Sequence, residues 1–174
     1  MKNFGILIVF LYLFLTTTPT LAIEIGDIYY SNQSFSSAPI NGLQAIGVVW
    51  QVTDDGKSGL IVALDQPGSK NWKRAQTYCR QYLTRGTKAG DWFMPTLLQM
   101  FPIDKMQNQR INNHTFLHIN DKLLLLKEAR PLKDGIYMTS SNDKNTVIGI
   151  NLASGELTKL KTKERHNFRC MMAF

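Results

Sequence analysis

The chain holds two cysteines, Cys79 and Cys170, and it begins with the marks of an export signal. Residues 1–22 carry one cation, Lys2, then an apolar run from Phe4 to Leu15, a threonine stretch, and Pro19-Thr20-Leu21-Ala22, which predicts cleavage after Ala22. The apolar run is about 12 residues long, short of the roughly 20 that span a bilayer, so it reads as a removable signal and not an anchor. Export puts thiols where they oxidise, and with only two present each has the other as its partner. Cys79 lies in a helical pattern and Cys170 in the closing strand, so one bond would staple a helix to the far end of the chain.

Removing 22 of the 174 residues leaves 152, read as a single domain over residues 23–174. A chain of that size buries roughly 68–70% of its unfolded surface. No second long apolar stretch follows, and no cysteine stands at the cut to carry a lipid. The expectation is therefore an exported protein, periplasmic, secreted or at the cell surface, with no membrane span after signal removal. Loss of Lys2 takes the formal net charge from +7 to +6. Such an excess favours anionic partners: sulfated glycans, lipid head groups or nucleic acid. Nucleic acid is the least available of these outside the cytoplasm and is not expected.

Along the chain, Ile25 to Phe35 alternates aromatic and polar residues around a turn and predicts a short hairpin. Ala45 to Val52 and Gly59 to Leu64 are β-branched, apolar runs separated by Asp54-Asp55-Gly56, the strongest hairpin signal present. From Ser69 to Leu83, Trp72, Ala75, Cys79, Tyr82 and Leu83 recur at spacings of three and four, opposite Lys73, Arg74, Arg80 and Gln81. That is a helix with one buried face, and Cys79 is on it. Thr96 can cap a second helix over Leu97 to Phe101, which Pro102 should shorten or kink. Residues 108–127 fit either a hairpin or a helix continuing the second one, and helix followed by strand is the preferred reading. Strands are expected at Gly135 to Ser141 and Thr146 to Leu152, joined by a polar turn, with a last strand through Phe168 to Phe174. Early strands, two helices and a late strand cluster argue for α+β.

Four blocks resemble, in order, one bacterial family: GDIYYS from Gly26, WKRAQTYC from Trp72, WFMPT from Trp92, and DGIYMTSS from Asp134 together with the closing FRCMMAF from Phe168. The family is the C-terminal domain of the Legionella collagen-like adhesin and its relatives, and the likeness covers nearly all of the mature chain. It implies a C-type-lectin-like α+β fold, with two helices packed on small antiparallel sheets and the N- and C-terminal segments brought together. It also implies a helix-to-last-strand cysteine bridge and, for members with a known role, adhesion or glycan binding. Three positions depart from the family pattern: Phe93 replaces a basic residue, Met138 a tryptophan and Met172 a second arginine, whereas Arg169 is kept.

Candidate chemistry is sparse. The calcium-dependent sugar site of true C-type lectins resembles Glu-Pro-Asn or Gln-Pro-Asp followed by Trp-Asn-Asp; here Gln66-Pro67 precedes Gly68 and no Trp-Asn-Asp occurs. Asp54-Asp55 and Asn142-Asp143 sit where turns want such residues, and calcium asks for more oxygens than either supplies. His114 and His118 share a helix side without a third ligand in pattern, and they read as surface histidines. No metal or cofactor is expected. A catalytic cysteine served by His166 would need a free thiolate, which a bridge removes, so no enzyme activity is expected. Trp72, Trp92, Tyr78 and Tyr82 read as core rather than as sugar platforms. Asn32-Gln33-Ser34 and Asn113-His114-Thr115 match glycosylation acceptors.

The candidate binding residues are Lys159, Lys161, Lys163 and Arg165. If their segment is extended they form one row, spaced about 6.5–7 Å apart, suited to a sulfated or phosphorylated polymer; the plainer reading is an edge guarded against pairing. Lys70, Lys73, Arg74 and Arg80 of the first helix would extend that row. The function expected is thus a non-catalytic adhesion or binding module for an anionic glycan or other surface polymer. The alternative is an appendage subunit with a protein partner, for which Leu123 to Leu126 would supply the apolar patch.

Overall fold

The computed structural model describes residues 22–100 and 113–174. The expected signal up to residue 21, Pro102 and the start of the 108–127 segment lie outside the described residues.

Strands β1 (Ile28–Tyr30) and β2 (Phe35–Ser36) form the first hairpin. Its turn is held by Asn32, whose Oδ1 accepts from the Ser34 N–H at 3.1 Å and hydroxyl at 2.7 Å. Strands β3 (Ala45–Val52) and β4 (Gly59–Ala63) make the second hairpin, with Val52 opposite Gly59 and Val48 opposite Val62. Asp55 turns the chain between them, accepting from the Thr53 hydroxyl at 2.6 Å and the Lys57 N–H at 3.1 Å. Gly59 is required by close approach: a Cβ there would run into the Gln51 carbonyl oxygen and lie 2.7 Å from Phe174 Cζ. Backbone cannot give way as a side-chain tip can, so Gly59→Ala is expected to cost about 1–3 kcal/mol in urea unfolding. A variant within error of wild type would show that the hairpin shifts freely.

Helix α1 (Trp72–Gln81) starts at the Asn71 cap, whose side chain accepts from the Arg74 N–H. Strand β5 (Trp92–Phe93) follows, then the short α2 (Leu97–Met100). Thr96 caps α2 as expected, and the exchange is reciprocal: Thr96 Oγ1 accepts from the Gln99 N–H at 3.3 Å while Gln99 Oε1 accepts from the Thr96 N–H at 2.8 Å. Helix α3 (Asn113–Leu124) occupies the segment read as helix then strand. The strand does not form. Leu123 and Leu126 instead turn inward, leaving Leu124 and Leu125 exposed.

Strands β6 (Ile136–Asp143), β7 (Thr146–Asn151) and β8 (Leu157–Lys161) form a three-stranded antiparallel sheet, and β9 (Met171–Ala173) closes the chain. The closing strand is shorter than expected, and the run from 157 to 174 contains two strands in different sheets. The larger sheet is ordered β2-β1-β3-β4-β9-β5, with every pair antiparallel. Its alternating side chains serve two cores. On one face Ile28, Tyr30, Val48, Trp50 and Val62 meet Phe116, Ile119 and Leu123 of α3. On the other, Tyr29, Ile46, Val49 and Ile61 meet Ala75 and Cys79 of α1. The smaller sheet feeds both, through Tyr137 and Ile150 to the first and through Met138, Val147 and Leu160 to the second.

Cys79 and Cys170 are bonded, with Cα atoms 5.3 Å apart and a sequence separation of 91. The end of the chain also reaches back to the start: the Phe174 ring lies 5.9 Å from that of Tyr29 and 4.9 Å from that of Phe35. The architecture is α+β, with two small antiparallel sheets and few helices.

Candidate functional site

The basic residues are placed by a seam between two distant segments. After β8 the chain turns at Thr162 and Lys163 and runs beside the entry to α1. The Trp72 N–H donates to the Thr162 carbonyl at 3.2 Å, and Lys70 and His166 exchange backbone hydrogen bonds of 3.3 and 3.2 Å. Arg165 joins the same seam: its Nη2 and Nε donate to the Ser69 carbonyl at 2.7 and 3.1 Å. The single row expected of Lys159, Lys161, Lys163 and Arg165 therefore does not form. Only Lys159 and Lys161 stand on one strand face, flanking the buried Leu160, and the strand ends there.

What replaces the row is a broader cluster. The first turn of α1 contains no acid and presents Lys73 and Arg74 to solvent beside the turn bearing Lys163. The one acid between residues 159 and 165 is Glu164. Its carboxylate accepts from the Lys161 N–H at 3.2 Å and lies 3.5 Å from His166 Nε2. Those partners, the Lys161 amide first, hold its pKa below the usual carboxylate range. Among the described residues, the ammonium groups of Lys73, Lys159, Lys161 and Lys163 lie within ion-pair distance of no carboxylate. Lys70 is more committed, with Nζ 5.2 Å from the centre of the Tyr78 ring.

The core holds a buried polar centre built around Arg169. Arg169 is wholly buried and donates to the carbonyls of Ala63 (2.7 Å), Leu64 (2.9 Å) and Arg130 (2.8 Å) and to Gln66 Oε1 (3.0 Å). Gln66 Oε1 also accepts from the Tyr137 hydroxyl at 2.9 Å, which in turn accepts from the Lys133 N–H at 2.7 Å. Burial lowers the Arg169 guanidinium to about 10 and raises the Tyr137 phenol to about 12. In the sequence Gln66 stands out only as a mismatch to a calcium motif. Its partner Arg169 lies 103 residues away, and no local pattern signals such a pairing.

The remaining candidates fall on structural duties. Trp92 is fully buried, Trp72 donates from Nε1 to the Thr139 carbonyl at 3.1 Å, and Tyr78 stacks on Tyr82 at 5.9 Å while donating to Asp65 at 2.8 Å. Burial, and then the Asp65 carboxylate, drive the Tyr78 phenol far above its ordinary pKa. Met138 and Met172 are buried and Phe93 packs against the core, so the three departures from the family pattern all face inward. His118 lies in α3, with Nε2 3.2 Å from the Ile25 carbonyl oxygen. The His114 side chain lies outside the described residues, and among the described residues no group of three or more metal-binding side chains converges. Two open clefts of about 390 and 410 Å³ flank the loop after α1, beside Asp91 and beside Asp65 and Glu128, and none of the predicted cations lines either.

No protein-family model matches the chain, and no curated protein matches it closely enough to count as a relative. Among the described residues no helix is long and apolar enough to cross a membrane.

Proposed function

We propose that the protein is an exported, non-catalytic binding module of C-type-lectin-like fold, related to the adhesin C-terminal domains it resembles, which holds a polyanionic glycan or similar surface polymer. The observation that carries this reading is the hydrogen-bonded seam joining the start of α1 to the turn after β8, because it gathers Lys73, Arg74, Lys161 and Lys163 from segments far apart in sequence. An exposed cluster of cations suits a long ligand with repeated charge better than a small molecule needing enclosure. The bridge between Cys79 and Cys170 supports an oxidising compartment.

Retention on immobilised heparin tests the reading. The protein is expected to bind at low salt and elute as salt rises, since exposed charge contacts are screened within about 10 Å at 0.1 M. Each of Lys159→Ala, Lys161→Ala and Lys163→Ala should lower the slope of log affinity against log salt by about one if the lysine touches the polymer. No retention at low salt, or retention unchanged when 159, 161, 163 and 165 all become alanine, ends the proposal.

One observation favours the appendage-subunit reading. Leu117 and Leu124, seven residues apart on α3, are 54% and 68% exposed, and Leu125 is 56% exposed. Leu124→Asp would abolish surface attachment on that reading and leave it untouched on the first.

A further inference from the structure

We infer that Arg165 is a positioning residue and not a polymer contact: it clips the basic turn after β8 onto the chain entering α1, so that lysines from both segments face one ligand. The inference rests on the binding reading above for its purpose, but its geometry stands independently. Two guanidinium nitrogens converge on one acceptor, the Ser69 carbonyl, at 2.7 and 3.1 Å. A fork used in that way is held in place, and its charge-assisted bonds are stronger than the amide bonds beside it. Immediately next to it lie the Lys70–His166 bridge and, on the other side of the turn, the Trp72 N–H bond to Thr162. Arg165 and the neighbouring Lys163 are both exposed, but the Lys163 side chain bonds to nothing among the described residues. Two cations two residues apart therefore have different duties, one closing the seam and the other meeting the ligand.

Amide hydrogen exchange on the full mature chain, with heparin retention on the same variants, tests this. Arg165→Gln should speed exchange at Lys70, Trp72 and His166 about tenfold, the worth of one charge-assisted hydrogen bond. Its affinity for heparin should fall while the salt slope stays at the wild-type value. Arg165→Lys, which keeps one donor, should recover part of the protection. Lys163→Gln should do the reverse, leaving exchange unchanged and lowering the slope by about one. If Arg165→Gln leaves exchange unchanged and lowers the slope as Lys163→Gln does, Arg165 is a ligand and the inference is overturned. If the wild-type chain is not retained at all, the binding reading fails, and the exchange data alone decide whether Arg165 holds the seam.

Discussion

Replacing both cysteines, Cys79→Ala with Cys170→Ala, is expected to lower the melting temperature by roughly 10–15 °C, because each kcal/mol shifts a domain of this size by about 2–4 °C. Cross-linking across 91 residues removes loop-closure entropy from the unfolded chain worth about 4–5 kcal/mol on the chain-entropy account. The bond also lies where packing is already complete. Cys79 and Cys170 are 0% and 1% exposed, and they sit among Ala75, Trp92 and Phe168. Alanine is the suitable replacement, since serine would bury two hydroxyls without assured partners. Reductant should bring wild type to the same melting temperature and leave the double variant unmoved. A shift under about 3 °C, less than 2 kcal/mol on the same scale, would mean that packing alone holds α1 to the sheet.

Arg169→Met is expected to destabilise by about 3–4 kcal/mol, with buried acceptors left without donors costing about 1–3 kcal/mol each. Four acceptors take hydrogen bonds from this one side chain, the carbonyls of Ala63, Leu64 and Arg130 and the amide oxygen of Gln66, and of these Leu64 also accepts from the Arg130 N–H at 2.9 Å. Gln66 keeps the Tyr137 hydroxyl, and the variant no longer buries a charge, a relief already visible in the lowered pKa of Arg169. The net loss is therefore smaller than four orphaned groups would suggest. Arg169→Lys should fare nearly as badly, because a single ammonium cannot span acceptors that a planar fork reaches together. Equilibrium unfolding in urea measures both. Arg169→Lys within about 1 kcal/mol of wild type, the worth of one ordinary hydrogen bond, would show that the carbonyls find other donors.

These two residues are neighbours in sequence yet differ in how visible their roles were. The Cys79 and Cys170 pairing needed only a count and a compartment. The duty of Arg169 depended on where the ends of β4, the loop at Arg130 and the side chain of Gln66 came to rest. The basic site lies between those extremes. Its residues could be named from their alternation with Leu160 and Thr162, but alternation predicts a row only while the strand lasts, and β8 stops at Lys161. The strand wrongly expected after α3 has a similar cause. Four leucines in succession, Leu123 to Leu126, carry no period, and the choice between helix and strand passed to which of them the core could accept.

Sequence alone determined the hairpins, the Ala75 and Cys79 face of α1, the α+β class and the disulfide, because each depends on local periodicity, turn chemistry or a forced choice of partner; Leu83, expected on that face, lies past the end of the helix and is 59% exposed. Only the tertiary structure decided that the turn after β8 lies against the start of α1, that Arg165 is spent on the Ser69 carbonyl, and that an arginine can live in the core. Those outcomes are set by backbone groups from segments roughly a hundred residues apart, and backbone groups leave no signature in side-chain order.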